Sequence, residues 1–260
     1  MRIKTVTINT NYELIGPKNA SVVMLSHSLG SNLHMWDPQM AVLEAKHRVL
    51  RYDTRGHGAS DAPEGAYTLD QLVEDVVALL DALKIEKVNF TGLSMGGMIA
   101  QGLALNHPQR VDRLVLCDTS AFMPAEAQPI VQERIDIARK EGTAALVDST
   151  LARWFTPPYL QKKGRDVEMI RDILSTSPAA GYIGCTEAIR RLNYINELPR
   201  IKQPTLIMVG AEDPGTPVAA AQAIHERIAG SRLVVIPSAS HLSNIEQAEV
   251  FNRNLIEFLG

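Results

Sequence analysis

The pentapeptide Gly92-Leu93-Ser94-Met95-Gly96 sets a serine between two glycines. A β-rich run, residues 87–91, precedes it, and a helical pattern over 94–106 follows. A serine hydroxyl is a weak nucleophile until a base takes its proton. A sharp strand-to-helix turn holds the hydroxyl clear of the sheet, and glycines on either side remove side chains that would strike the neighbouring strand and helix. The helix behind Ser94 also directs the partial positive charge of its N-terminus at the reacting centre, where it favours an oxyanion. The spacing therefore predicts Ser94 as the nucleophile of an acyl-transfer reaction.

Serine needs a base, and the base needs a carboxylate to orient it. In sites built on this turn, the chain order is serine, then Asp or Glu, then His. The chain has seven histidines. His27, His34, His47 and His57 precede Ser94, so the order excludes them. His107 lies in a helix-ending Asn-His-Pro, and His225 in a helix of mixed polarity. His241 follows the last β-rich run, on a loop, and is the expected base. The expected acid is Asp213, in the loop Gly210-Ala211-Glu212-Asp213-Pro214 after the run 204–209. Asp118 ends an earlier run, at a place that also abuts the site, and stands as a competitor. Two backbone amides must face the developing oxyanion. Met95 follows the nucleophile and supplies one; Leu29, in the loop Ser26-His27-Ser28-Leu29-Gly30, supplies the other.

Alternating elements position these groups. Runs at 2–9, 12–16, 21–26, 47–53, 87–91, 113–118, 204–209 and 232–236 read as strands. Residues 69–83 carry apolar side chains at helical spacing, and 94–106, 217–229 and 246–259 read as further helices. Strands alternating with helices imply parallel βαβ units with right-handed crossovers. The rhythm breaks over 123–198, where helical patterns run without a buried strand. The expectation is an α/β fold: a mostly parallel, doubly wound, eight-stranded sheet. Residues 1–122 and 199–260 form its core, and 123–198 form a helical lid after the sixth strand. Ligands of such sheets bind beyond the C-terminal strand ends, where all the residues above fall.

Bulk properties exclude several other classes. The 260 residues are 45% hydrophobic and 21% charged, with a net charge of −3. Nothing global suggests nucleic acid or an anionic membrane as a partner. The first residues have no apolar h-region, and no stretch reaches the roughly 18 apolar residues of a membrane span. The two cysteines, Cys117 and Cys185, fit free thiols in a reducing cytoplasm better than a disulfide. No His, Cys or Asp cluster has metal-ligand spacing, so neither a metal nor an organic cofactor is expected.

Further motifs carry a family resemblance. His27-Ser28-Leu29-Gly30, followed by His34-Met35-Trp36-Asp37, resembles the oxyanion segment of α/β-hydrolases. Asp53 to Ser60 resembles that superfamily's turn after the fourth strand; Asp53, Arg55 and His57 read there as a structural turn network. Ser28 departs from the glycine most relatives carry. The stretches SLGSNLHMWD, RYDTRGHGAS, GLSMGGMIAQ, LARWFTP and SHLSNIEQ together resemble 3-oxoadipate enol-lactonases of the β-ketoadipate pathway, across essentially the whole chain. The resemblance implies an α/β-hydrolase fold and hydrolysis of a small anionic enol-lactone through an acyl-enzyme. The general carboxylesterase and the cofactor-free perhydrolase or haloperoxidase stand as alternatives. A slow, ligand-retaining receptor is a third. A carboxylated substrate needs a cation, and Arg134 is the candidate, with Arg153 next. Trp36 and Trp154 either wall the pocket or pack in the core, and the Met95 and Met98 side chains read as packing. The partner is a small ester or lactone, and the chain is expected to be a monomer or homodimer.

Overall fold

The β-rich runs of the sequence form one sheet in the computed structural model, which describes residues 1–260. Its strands are β1 (Arg2–Lys4), β2 (Asn9–Ile15), β3 (Val22–Ser26), β4 (Arg48–Tyr52), β5 (Val88–Leu93), β6 (Val111–Cys117), β7 (Thr205–Gly210) and β8 (Arg232–Ile236). The helices are α1 (Asp37–Glu44), α2 (Leu69–Ala82), α3 (Met95–Asn106), α4 (Gln128–Glu141), α5 (Val147–Trp154), α6 (Pro157–Gln161), α7 (Arg165–Thr176), α8 (Ala179–Ile189), α9 (Val218–His225), α10 (Ser243–Glu246) and α11 (Ala248–Leu259). The strand order is β1-β2-β4-β3-β5-β6-β7-β8. The β1–β2 and β2–β4 pairs are antiparallel, and every pair from β4 to β8 is parallel.

Pleating sends alternate side chains to opposite layers. Met24, Leu50, Phe90 and Leu116 meet α2, α3 and α9 through Leu72, Val76, Leu103 and Ile224. Val23, Leu25, Val49 and Val115 meet α1 and α11 through Leu43, Phe251 and Leu255. All six residues of β5 are buried, as both faces of a central parallel strand must be. Helix α3 is buried from Met95 to Leu105, which is why its sequence is apolar all round rather than striped. Helices α4 to α8 stand between β6 and β7. Leu151 of α5 and Ile170 and Leu174 of α7 join the α1/α11 layer, so this helical segment shares the core of the sheet. No helix is long and apolar enough to cross a membrane.

Three expected elements are cut short, among them the helix expected over 217–229, which ends at His225. The first strand ends at Lys4 rather than running to residue 9, because Thr5 closes a turn onto Ile8 with both its amide and its hydroxyl. The closing helix is broken at Gln247, whose φ of −128° and ψ of 51° divide α10 from α11.

The approach of β5 and α3 at Ser94 leaves no room for side chains. A Cβ on Gly92 would overlap the Gly96 carbonyl, and a Cβ on Gly96 would overlap the Ser26 carbonyl of β3. Both obstacles are backbone and cannot rotate away. Gly96→Ala is therefore expected to lower unfolding free energy by about 3 kcal/mol. Urea denaturation measures it, and a loss below about 1 kcal/mol would show that the contact can relax.

Candidate active site

Ser94 has φ 56° and ψ −115°, a conformation that side-chain-bearing residues avoid. Three hydrogen bonds around it over-determine the turn. The Ser94 amide donates to Cys117 O at 2.9 Å, Thr119 Oγ1 donates to Ser94 O at 2.7 Å, and Met98 N donates to the same carbonyl at 3.1 Å. Strain held this way by its surroundings is a feature of functional sites.

The loops after β7 and β8 bring a carboxylate to an imidazole. Asp213 Oδ2 lies 2.7 Å from His241 Nδ1. Asp213 also accepts from Gly215 N at 2.8 Å, Thr216 N at 3.1 Å and Thr216 Oγ1 at 2.6 Å. Burial alone would raise its pKa, but the charge of His241 and the hydrogen bonds from His241 and Thr216 outweigh burial and hold it at about 2. An ionised carboxylate only accepts, so the proton sits on His241 Nδ1 and leaves Nε2 free to act as a base. Ser94, Asp213 and His241 line one cavity of about 160 Å³.

Asp118 does not reach His241. It accepts from Gly210 N at 2.7 Å and Ser243 Oγ at 2.5 Å, and it is fully buried. Burial pushes its carboxyl well up, and the charge of Asp213 adds to the shift. It ties the start of the Asp213 loop to the helix after His241.

Leu29 lines the cavity, and the Met95 amide opens α3, where helix geometry leaves an N–H without an intrahelical acceptor. Two buried histidines hold the Leu29 loop. His57 Nε2 accepts from Gly30 N at 2.8 Å, and its Nδ1 lies 3.1 Å from Arg55 O. His27 Nε2 accepts from Thr54 N at 2.9 Å, and its Nδ1 lies 2.7 Å from Ser28 O. Each ring thus accepts on one nitrogen and donates on the other, which only a neutral Nδ1–H tautomer can do. Burial lowers His27 to about 4 and, with the influence of His27 added, His57 to about 3. The remaining turn residues are also structural in placement. Asp53 accepts from Leu33 N, Ala59 N and Asn11 Nδ2, and Arg55 makes a two-pronged pair with Asp75 at 2.6 Å.

Arg134 and Arg153 both line the cavity. Arg134 donates to Thr150 Oγ1 at 2.6 Å, Tyr182 Oη at 3.1 Å and Ser149 Oγ at 3.4 Å, all neutral oxygens. Arg153 Nε is buried without a partner; burial first, then the Arg134 charge, lowers the Arg153 pKa. Trp154 also lines the cavity, its ring 6.1 Å from that of His241. Trp36 does not. The helical turn Leu33–Trp36 points it inward, where it is fully buried 6.2 Å from Phe251. Met98, expected only to pack, lines the cavity as well, whereas the Met95 side chain is core.

Several working residues escaped the sequence. Thr216 supports Asp213, and the Asp-Pro-Gly-Thr spacing of an Asx turn was its only local signal. Tyr182 and Thr150 position Arg134 from other helices. Glu246 accepts from Ser240 N at 3.0 Å and from the Thr156 amide and hydroxyl, while Leu242 N donates to Trp154 O at 3.0 Å. These bonds fasten the His241 loop to the segment after α5, a junction no local pattern announces.

A family model described as alpha/beta hydrolase fold matches residues 21–248. The chain is 41% identical over 242 residues to 3-oxoadipate enol-lactonase 2 of Acinetobacter baylyi, spanning 93% of this chain and 90% of that one. It is 38% identical to 3-oxoadipate enol-lactonase 1 of the same organism, over 95% of this chain and 90% of that one. The crystal structure of the enol-lactonase from Burkholderia xenovorans LB400 superposes with a TM-score of 0.96 at 41% identity, covering 100% of this chain and 99% of that chain.

Asp213→Asn should lower kcat about 10⁴-fold by losing the required tautomer, and Asp118→Asn less than about tenfold. Equal losses in steady-state assays would contradict the pairing. A second expectation concerns acid. His27 and His57 stay neutral in the fold, whereas unfolded histidine takes a proton near pH 6.5. The unfolded state therefore binds more protons, and stability falls from about pH 6.5 towards 4, by up to about 1.4 kcal/mol per pH unit for each ring. The Asp213 contribution persists through this window and is lost only below about pH 4, as its carboxyl titrates near 2. Urea unfolding at pH values across this window reads the slope; a flat profile would mean the rings are not held neutral.

Proposed function

The chain belongs to the α/β-hydrolase fold family, and on that footing we propose that it hydrolyses a lactone through an acyl-enzyme on Ser94, with 3-oxoadipate enol-lactone as its substrate. His241 takes the Ser94 proton as Oγ attacks the lactone carbonyl. The Leu29 and Met95 amides stabilise the oxyanion that forms. Collapse opens the ring, and His241 returns the proton to the departing enol oxygen, which stays attached to the acyl chain. Water then attacks the acyl-enzyme with His241 again as base, and the dicarboxylate leaves. On this reading the reaction is the hydrolytic step that yields 3-oxoadipate in the β-ketoadipate pathway. Both cysteines are buried free thiols, which supports a reducing, cytoplasmic setting.

The observation that carries the reading is the company Ser94 keeps. The cavity that Ser94 shares with the Asp213–His241 pair also contains two arginines, and neither has a carboxylate partner. Arg134 and Arg153 are partly buried, and a partly desolvated cation without a counter-charge is held at a cost. The carboxylate of an anionic lactone would remove that cost while it orients the ring on Ser94. Neither arginine is needed for the hydrolytic steps themselves, so their presence argues for substrate charge.

Steady-state kinetics with the enol-lactone and an uncharged aryl ester test this. The lactone should be much the better substrate, and Ser94→Ala should abolish turnover of both. Arg134→Ala and Arg153→Ala should each raise KM for the lactone about 10- to 100-fold, the worth of a charged hydrogen bond, with little change for the neutral ester. A lactone turned over no better than the aryl ester would point to a general carboxylesterase.

A further inference from the structure

A second cavity opens off the first. It encloses about 580 Å³ between α4 and α9 and reaches the surface beside Phe122 and Ile130. The two cavities share Met98, Met123, Arg134, Arg153, Gly215 and Thr216, so the space above Ser94 continues outward past the arginines. At the junction, the Arg134 head is turned to Tyr182 and Thr150. That leaves the apolar stem of Arg134 to line the passage.

The outer groove differs in chemistry from the inner cavity. Its walls are Phe122, Ile130, Val131, Ile195 and the small side chains of α9. Only six large apolar side chains are strongly exposed on the whole surface, and two of them, Phe122 at 45% and Ile130 at 56%, stand at this mouth. Apolar surface gathered at the mouth of a cavity marks a place that an apolar ligand covers. The inner cavity of about 160 Å³ holds Ser94, Asp213 and His241, and the groove extends beyond it.

We propose that this groove is a tail subsite: the site takes lactones whose ring carries an apolar chain. The ester carbonyl sits at Ser94, and the chain runs outward past Arg134 and Arg153 to lie between α4 and α9. The proposal rests on the lactone-hydrolase reading and extends its substrate class. Continuity with the catalytic cavity favours the substrate's own chain over a second copy of the protein as occupant, since the groove leads inward to the nucleophile.

The test is kcat/KM for γ-lactones with a lengthening saturated chain, from γ-valerolactone to γ-undecalactone, on the wild type, Ile130→Asn and Ala223→Trp. Wild-type kcat/KM should rise by up to about fourfold per added methylene until the groove is filled. Each variant should cut the ratio of longest to shortest substrate by at least about tenfold, one by making the wall polar and the other by filling the space. Both positions are at least partly exposed, and thermal melts check folding; either variant suffices if the other misfolds. A flat or falling wild-type series would overturn the proposal, and so would a rise that both variants retain. A dimer that dissociates in Ile130→Asn, with no chain-length dependence, would overturn it in favour of self-association. Hydrolysis that survives in Ser94→Ala would instead remove the underlying reading, whatever the chain dependence.

Discussion

The turn at Ser94 is the constraint around which the site is arranged. Strand β5 must pass into α3 within one residue, and it does so at φ 56° and ψ −115°, with backbone packed on backbone at Gly92, Gly96 and Ser26. Such a turn is unfavourable in isolation. It persists because β5 is central and fully buried, and because Cys117 and Thr119 at the end of β6 bond it from the side. Once the hydroxyl is fixed at the end of β5, the parallel topology sets what can reach it. The ends of β7 and β8 lie on the same edge of the sheet, and the loops that leave them carry Asp213 and His241. The loop after β3, on the other side of β5, carries Leu29.

Electrostatics divides the buried polar groups into two sets. Most are neutral or matched. His27 and His57 are uncharged and bridge backbone groups, Arg55 is paired with Asp75, and Asp213 is paired with His241. Such matching is what burial demands. The half-buried Arg134 and Arg153 stand apart among the cations, since both line the catalytic cavity with only neutral partners or none. The buried cations Arg51 and Arg55 each have a carboxylate partner, and a cation in the catalytic cavity without one suits a group that arrives from solution. Both arginines come from helices between β6 and β7, whereas Ser94, Asp213 and His241 follow strands of the sheet.

That Ser94 and His241 come to one cavity was legible in the sequence, because their placement follows from local patterns and chain order. A glycine-flanked serine between a strand and a helix has one geometric meaning, and a histidine after the last strand has few alternatives. The choice between Asp213 and Asp118 needed coordinates. Both follow strands on the same sheet edge, and only the positions of Gly210, Ser243 and His241 show which carboxylate meets the imidazole. The sequence left Trp36 open between pocket wall and core, and the helical turn Leu33–Trp36 settles it in the core against Phe251. Glu246 and Tyr182 act across large sequence separations, and no window of the chain contains both ends of their contacts. The break at Gln247 is of the same kind: the pattern of residues 246–259 is helical throughout, and the Glu246 contacts to Ser240 and Thr156 anchor the short α10 before it.

That Ser94 forms an acyl-enzyme with a lactone is tested most directly by rapid-quench mass spectrometry of the intact protein mixed with 3-oxoadipate enol-lactone. The expected result is a transient mass increase equal to the whole lactone, because ring opening retains every atom of the substrate, located on the peptide containing Ser94 and absent from Ser94→Ala. Turnover without any such adduct, at a rate unchanged in Ser94→Ala, would contradict it.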